Sequence, residues 1–272
     1  MSVLAIVSGV LSLVFGLVFL IDCIRFRKQI NSYVRYGVVF GLILLAIDTA
    51  ILPLIPNIFK IMPVYELIVI DFVALVRITV FTCMGMYCCS VLKINAFPAI
   101  RCFRDRAEEG NAISSKHFFI LTVATVLLAV GYSVVLFKLT TPHISAFLKQ
   151  LSETQSARLG AGSRPSLLTA LVVLEFAFSE EIVFRLGIQN YLAKQFKLEG
   201  SRYWIAILLT TLFWSLAHAN TLDPEWVKIA QVFPLGLALG YLFRKYGVEM
   251  CILVHGVFNL IMIFLTQYLI TT

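Results

Sequence analysis

From Leu174 to Arg185 the chain reads Leu-Glu-Phe-Ala-Phe-Ser-Glu-Glu-Ile-Val-Phe-Arg, three carboxylates and a guanidinium in a run otherwise apolar enough to cross a membrane. A charge near the centre of a bilayer costs ~2.5–3.5 kcal/mol or more, so such groups face the protein interior and serve a function. On a helix, Glu181 and Arg185 stand at i and i+4 on one face and can pair in a low dielectric. Glu180 points about 100° away from that face. A general base must not already be committed to an ion pair, so Glu180 is the candidate base and Glu181 the structural partner.

Two later apolar runs supply groups that suit such a base. Trp214-Ser215-Leu216-Ala217-His218 closes one, and His255-Gly256-Val257-Phe258-Asn259 lies inside the other. His255 and Asn259 again share a helix face, so imidazole and carboxamide can donate together to a developing oxyanion. Glutamate, histidine and asparagine are the types that activate water, hold an anion or bind a metal. The other two histidines, His117 and His143, fall at loop or span edges and read as solvated. Each motif alone arises by chance in a long chain; their order across three apolar runs is far more specific.

Glu180-Glu181-x-x-x-Arg185, an aromatic-x-x-x-His element and His255-x-x-x-Asn259 together resemble the CAAX-processing and bacteriocin-self-immunity family (CPBP or Abi), which includes the type II CAAX prenyl endopeptidase. The resemblance covers about Leu167 to Ile270. It implies an intramembrane endopeptidase in which Glu180 activates water, supported by Glu181 and Arg185. His218 would position that water or polarise the carbonyl, and His255 with Asn259 would form the oxyanion site. The family carries Phe four residues before the second-motif His. This chain has Trp214 there and Phe213 one residue earlier, so the pair is expected to line the substrate pocket with altered shape and unchanged chemistry.

Members of the family are described both as metalloproteases and as glutamate-dependent proteases. There is no H-E-x-x-H here, and a divalent ion such as zinc would have to be held by Glu180, His218 and His255 from three distant helices. The implied partner is a peptide or protein at the membrane, either a lipidated CAAX-type substrate or a bacteriocin- or pheromone-like peptide. Two readings from other classes stand beside this one. One is a non-catalytic immunity protein that sequesters a peptide in the same cavity. The other is a proton-coupled carrier using Glu175, Glu180, Glu181, Arg185, Asp48, Asp71 and Arg77 as a relay, although the chain lacks the repeat symmetry a carrier leads one to expect.

The elements that must position these groups follow from composition. Of 272 residues 60% are hydrophobic and 14% charged, and the mean hydropathy is +0.92. This predicts an all-α, polytopic transmembrane helix bundle in a cell membrane. About eight spans are expected: 3–22, 36–55, 64–92, 118–137, 167–188, 203–219, 229–243 and 249–270. The net charge of +7 comes from short basic blocks between spans, which fits topology and lipid headgroups and excludes a nucleic-acid patch. Most Lys and Arg fall in the loops around Arg25–Arg35, Lys93–Lys116, Lys194–Arg202 and Arg244–Lys245, which are therefore cytoplasmic, with both termini outside.

Pro53 and Pro56 mark the end of the second span. Residues 138–165 read as an external loop with an amphipathic stretch around Ile144–Leu151. Arg77, with Glu66 and Asp71 in the third span, reads as a buried or snorkelling charge with Asp48 as a partner. The six cysteines show no paired spacing and read as free thiols. The chain divides into a four-span region, 1–165, and a catalytic core, 166–272. Ideal helix rise sets one puzzle: Glu180 and His255 fall toward the cytoplasmic half, whereas His218 falls nearer the outer half.

Overall fold

The computed structural model describes residues 3–51, 64–98, 115–145 and 167–270. Over these the chain is helical apart from one two-residue strand pair. Lipid demands this, because a backbone crossing hydrocarbon must satisfy its own N–H and C=O groups. Helices α1 (Val3–Arg25), α2 (Val34–Ile51), α3 (Val64–Leu92) and α4 (Ser115–Thr140) come first. Helix α5 (Leu167–Glu180) runs on without a break through a π-helical stretch (Glu181–Gln189) into α6 (Asn190–Gln195). Helices α7 (Tyr203–Leu216) and α8 (Glu225–Leu269) follow. Segments Ile6–Arg25, Arg27–Ile51, Ile68–Leu92, Lys116–Thr140 and Glu225–Leu269 are each long and apolar enough to cross a membrane. The protein is membrane-integral.

Helix α8 is two spans in one. At Gly247 the backbone adopts φ 79° and ψ −179°, a conformation essentially closed to residues with a side chain. Cys251 Sγ meets the Leu239 carbonyl at 3.2 Å, although twelve residues of straight helix would separate them by ~18 Å. The chain therefore folds back at Gly247, in agreement with the two spans expected over 229–243 and 249–270. The turn is also crowded: a Cβ on Gly247 would lie 2.2 Å from Pro98 Cδ and 2.8 Å from the Ala96 carbonyl oxygen. Val248 N–H donates to that same carbonyl at 3.0 Å.

Several hydroxyls within the helices are satisfied locally. Thr49, Thr122, Thr125, Ser133 and Thr140 each donate a hydroxyl to the carbonyl four residues back, the usual outlet for a hydroxyl without water. Pro234 in α8 has no N–H for the Ala230 carbonyl. Tyr132 of α4 supplies the missing donor at 3.1 Å. The outer faces are apolar, with Leu13, Leu128 and Leu139 at 66, 75 and 80% exposure, whereas Glu181, Arg185, Gln189 and Asn190 are fully buried. Such an arrangement suits lipid outside and chemistry inside.

At the end assigned to the cytoplasm, Tyr191 donates to Asp22 Oδ2 at 2.7 Å, as does Gln195, tying α1 to α6. Lys194 Nζ sits 3.6 Å from the Phe26 ring centroid. At the other end, β1 (His143–Ile144) pairs antiparallel with β2 (Leu222–Asp223). That bridge departs from the expected loop: Ile144 lies in a strand, and residues 146–151 of the amphipathic stretch fall outside the described residues. Pro53, Pro56, Cys102, Arg101, Arg104, Arg106 and the division at 165/166 also lie outside them. The described cysteines are free.

Candidate active site

Helix α7 lies against the α5–α6 run and α8, and Trp214 near its end is the hub. The indole is 1% exposed. Its Nε1–H donates to Glu180 Oε2 at 2.6 Å. His218 and His255 each meet the Trp214 ring edge-on, with centroids 5.1 and 5.4 Å away. Arg185 Cζ lies over the same ring at 4.9 Å. One side chain thus gathers groups from α5, the π-helical stretch, the turn after α7 and the second arm of α8.

The two glutamates are separated as their spacing suggests. Glu181 Oε2 pairs with Arg185 Nε at 3.3 Å, and both side chains are 0% exposed. Its other oxygen, Oε1, lies 2.8 Å from His255 Nδ1. Glu180 is half-buried, and Trp214 is its hydrogen-bond partner among the described residues. The Nη1 and Nη2 atoms of Arg185 make no hydrogen bond to the described residues; the indole face meets them instead.

Hydrogen-bond chemistry fixes both imidazole tautomers. His218 Nδ1 lies 2.8 Å from the Trp214 carbonyl; a carbonyl only accepts, so Nδ1 carries the proton. His255 Nδ1 faces a carboxylate and carries its proton for the same reason. In each neutral ring Nε2 is left as the acceptor. Asn259 is half-buried and makes no hydrogen bond to the described residues. Phe213, one position from Trp214, turns to Phe15 of α1 with ring centroids 5.7 Å apart, so of the two aromatics only Trp214 reaches this cluster.

The depth puzzle is settled by where the helices stop. The acidic helix runs to Gln195, seven residues past Ile188, which lifts Glu180 by ~10 Å from the cytoplasmic end. Helix α7 ends at Leu216, and His218 sits in the turn beyond it. Between Glu181 and Gln189 the backbone is π-helical. Such wide turns gather at functional sites and are not readable from apolar spacing. Asn190 closes the stretch, its Nδ2 donating to the Arg185 and Leu186 carbonyls at 2.8 and 2.9 Å, while Tyr203 OH donates to Asn190 Oδ1 at 2.7 Å.

The charge of Arg77 acts on Asp48, the partner expected for it, and its Nη2 also donates to Ser179 Oγ at 2.9 Å, beside Glu180. The indole–Glu180 bond and the position of Lys228 were also missed. The first follows from having Trp where the family has Phe. The second is hidden because Lys228 falls just before the span expected at 229–243.

Both histidines hold Nδ1 in hydrogen bonds, as zinc-binding histidines do. Among the described residues, however, no three His, Cys, Asp or Glu groups gather closely enough to hold a metal ion. Glu180, His218 and His255 do not fit a metal as placed.

Fold and site define a membrane-integral helical protein with a buried glutamate–histidine–tryptophan centre. Residues 162–261, a little over a third of the chain, are similar to the family described as Type II CAAX prenyl endopeptidase Rce1-like. It is also 26% identical over 91 residues to the sporulation-killing factor biosynthesis protein SkfC of Bacillus subtilis, a match covering 33% of this chain. The chain spans only 18% of that relative's length. No solved structure matches.

Proposed function

We propose that the protein is an intramembrane endopeptidase that hydrolyses a peptide bond with water activated by Glu180. The observation that carries this reading is the division of labour around Trp214. Glu181 is spent on Arg185 and His255, and Glu180 keeps one carboxylate oxygen clear of the indole bond. In this scheme water sits between Glu180 and His218 Nε2. Glu180 takes one proton, and the oxygen attacks the scissile carbonyl carbon. The carbonyl π pair moves onto oxygen, where the Asn259 carboxamide donates to the oxyanion. With a proton on Nε2, His255 would add a second donor. Collapse breaks the C–N bond, and Glu180 returns the proton to the leaving amine.

The substrate class is a peptide or protein delivered at the membrane. Support comes from the Rce1-like match and from a relative named for making a sporulation-killing factor. No step is routed through a metal. The test is cleavage of a quenched-fluorescent peptide library by purified protein in lipid nanodiscs, beside Glu180→Gln. Wild-type cleavage that persists in chelator and disappears in Glu180→Gln is expected. Cleavage abolished by chelator and restored by zinc would overturn the glutamate–water scheme, and undiminished cleavage by Glu180→Gln would remove Glu180 from it.

A further inference from the structure

The turn that carries His218 leads directly into α8. Thr221 Oγ1 donates to the His218 carbonyl at 2.8 Å, β2 follows, and α8 starts at Glu225. Lys228 stands in its first turn. Its Nζ donates to Gln231 Oε1 at 2.9 Å. Gln231, 2% exposed, donates in turn to Ser133 Oγ of α4 at 3.3 Å. Ser133 is fully buried and is anchored to the Ala129 carbonyl at 2.8 Å. A hydrogen-bonded chain between two helices therefore holds an ammonium group at the outer end of the site.

That amino group is half-buried, and its hydrogen-bond partner is a neutral amide. Among the described residues no carboxylate lies within 4.0 Å of it. It stands close enough to the centre that the charge of Glu180 acts on it, and its own charge acts on His218. A cation withdrawn from water is costly without an anionic partner, and Glu180 is already held by the indole. A bound peptide brings an anion of the right kind in its C-terminal carboxylate or in an Asp or Glu side chain.

We propose that Lys228, held by Gln231 and Ser133, is the carboxylate-binding residue of the substrate site and selects peptides with a carboxylate near the bond to be cut. This rests on the endopeptidase reading. The selection acts through a charge-assisted hydrogen bond, the stronger kind in a low dielectric.

The test uses the full-length protein in nanodiscs and three peptides of one cleavable sequence: a free C-terminal acid, the C-terminal amide, and the amide with Asp as its last residue. Binding is read by fluorescence anisotropy and turnover by cleavage. Wild type is expected to favour the acid over the amide by roughly tenfold or more in both, the scale of one charge-assisted bond. That ratio should fall to about one in Lys228→Met and survive in Lys228→Arg, which keeps the charge. The Asp peptide tells a site for any carboxylate from one for the chain terminus. Equal handling of acid and amide by wild type, or an unchanged ratio in Lys228→Met, overturns the proposal while the endopeptidase reading stands. Preferential binding of the acid with no cleavage of any peptide supports the carboxylate site and sinks the endopeptidase reading.

Discussion

Glu180 and Glu181 are neighbours in the chain with different fates in the fold. Glu181 forms a fully buried ion pair with Arg185 and also braces His255. Removing one partner of such a pair leaves an uncompensated charge and costs about 3–5 kcal/mol. Glu181→Gln is therefore expected to lower the melting temperature sharply, read by intrinsic fluorescence or a thiol-independent thermal shift. Glu180, half-buried with one hydrogen bond, should tolerate Gln with little change in melting while cleavage is lost. Equal destabilisation by the two changes would contradict this division. Trp214→Phe keeps the ring between the two histidines but deletes the N–H donor to Glu180. Loss of one hydrogen bond to a charged group corresponds to about a 10- to 100-fold fall in kcat/KM, in protein that still elutes as folded. Wild-type kinetics in Trp214→Phe would reduce the indole to packing. The acidic pair and its separation by helical spacing were legible in the sequence. The indole bond was not, because spacing says which residues share a face and nothing about which donor on another helix reaches them.

The π-helical stretch is the element on which the site depends most. It turns Glu181 and Arg185 inward together and passes Gly85 of α3 so closely that a Cβ there would lie 2.5 Å from the Leu186 carbonyl oxygen. The obstacle is backbone, which cannot rotate away. Gly85→Ala is expected to destabilise the fold by about 1–3 kcal/mol, as overpacking does, and to lower cleavage by shifting the π-helical stretch. A melting temperature equal to wild type would show that α3 has slack. Asn190 holds the far end, with two bonds to backbone carbonyls and one from Tyr203. Helix α3, an excellent apolar span by sequence, is thus also the wall against which the π-helical segment is set. Its end points matched expectation, since hydrophobic length is written in composition. Its role did not, since close approach of two backbones appears in sequence only as a glycine among many.

The described residues form a bundle that meets lipid with its apolar side chains and keeps the Glu181–Arg185 pair within, closed at one end by the Asp22 contacts to α6 and at the other by β1 and β2. If the basic loops face the cytoplasm, a cysteine introduced at exposed Ser32 should be modified by an impermeant maleimide only in inverted vesicles, and one at Thr141 only in right-side-out cells, each above the native thiols. The opposite pattern would invert the topology. By itself the sequence determined that the chain is helical and membrane-integral, that the spans before and after Gly247 are separate, and which ionisable residues merit attention. Hydrophobic length and helical spacing are local, and both are carried by the order of residues. Only the tertiary structure decided that the helix bearing Glu180 continues to Gln195, that α7 stops short of His218, and that Trp214 draws Glu180, His218, His255 and Arg185 round one ring. These depend on the relative depth and rotation of helices far apart in the chain, which are set by packing between them.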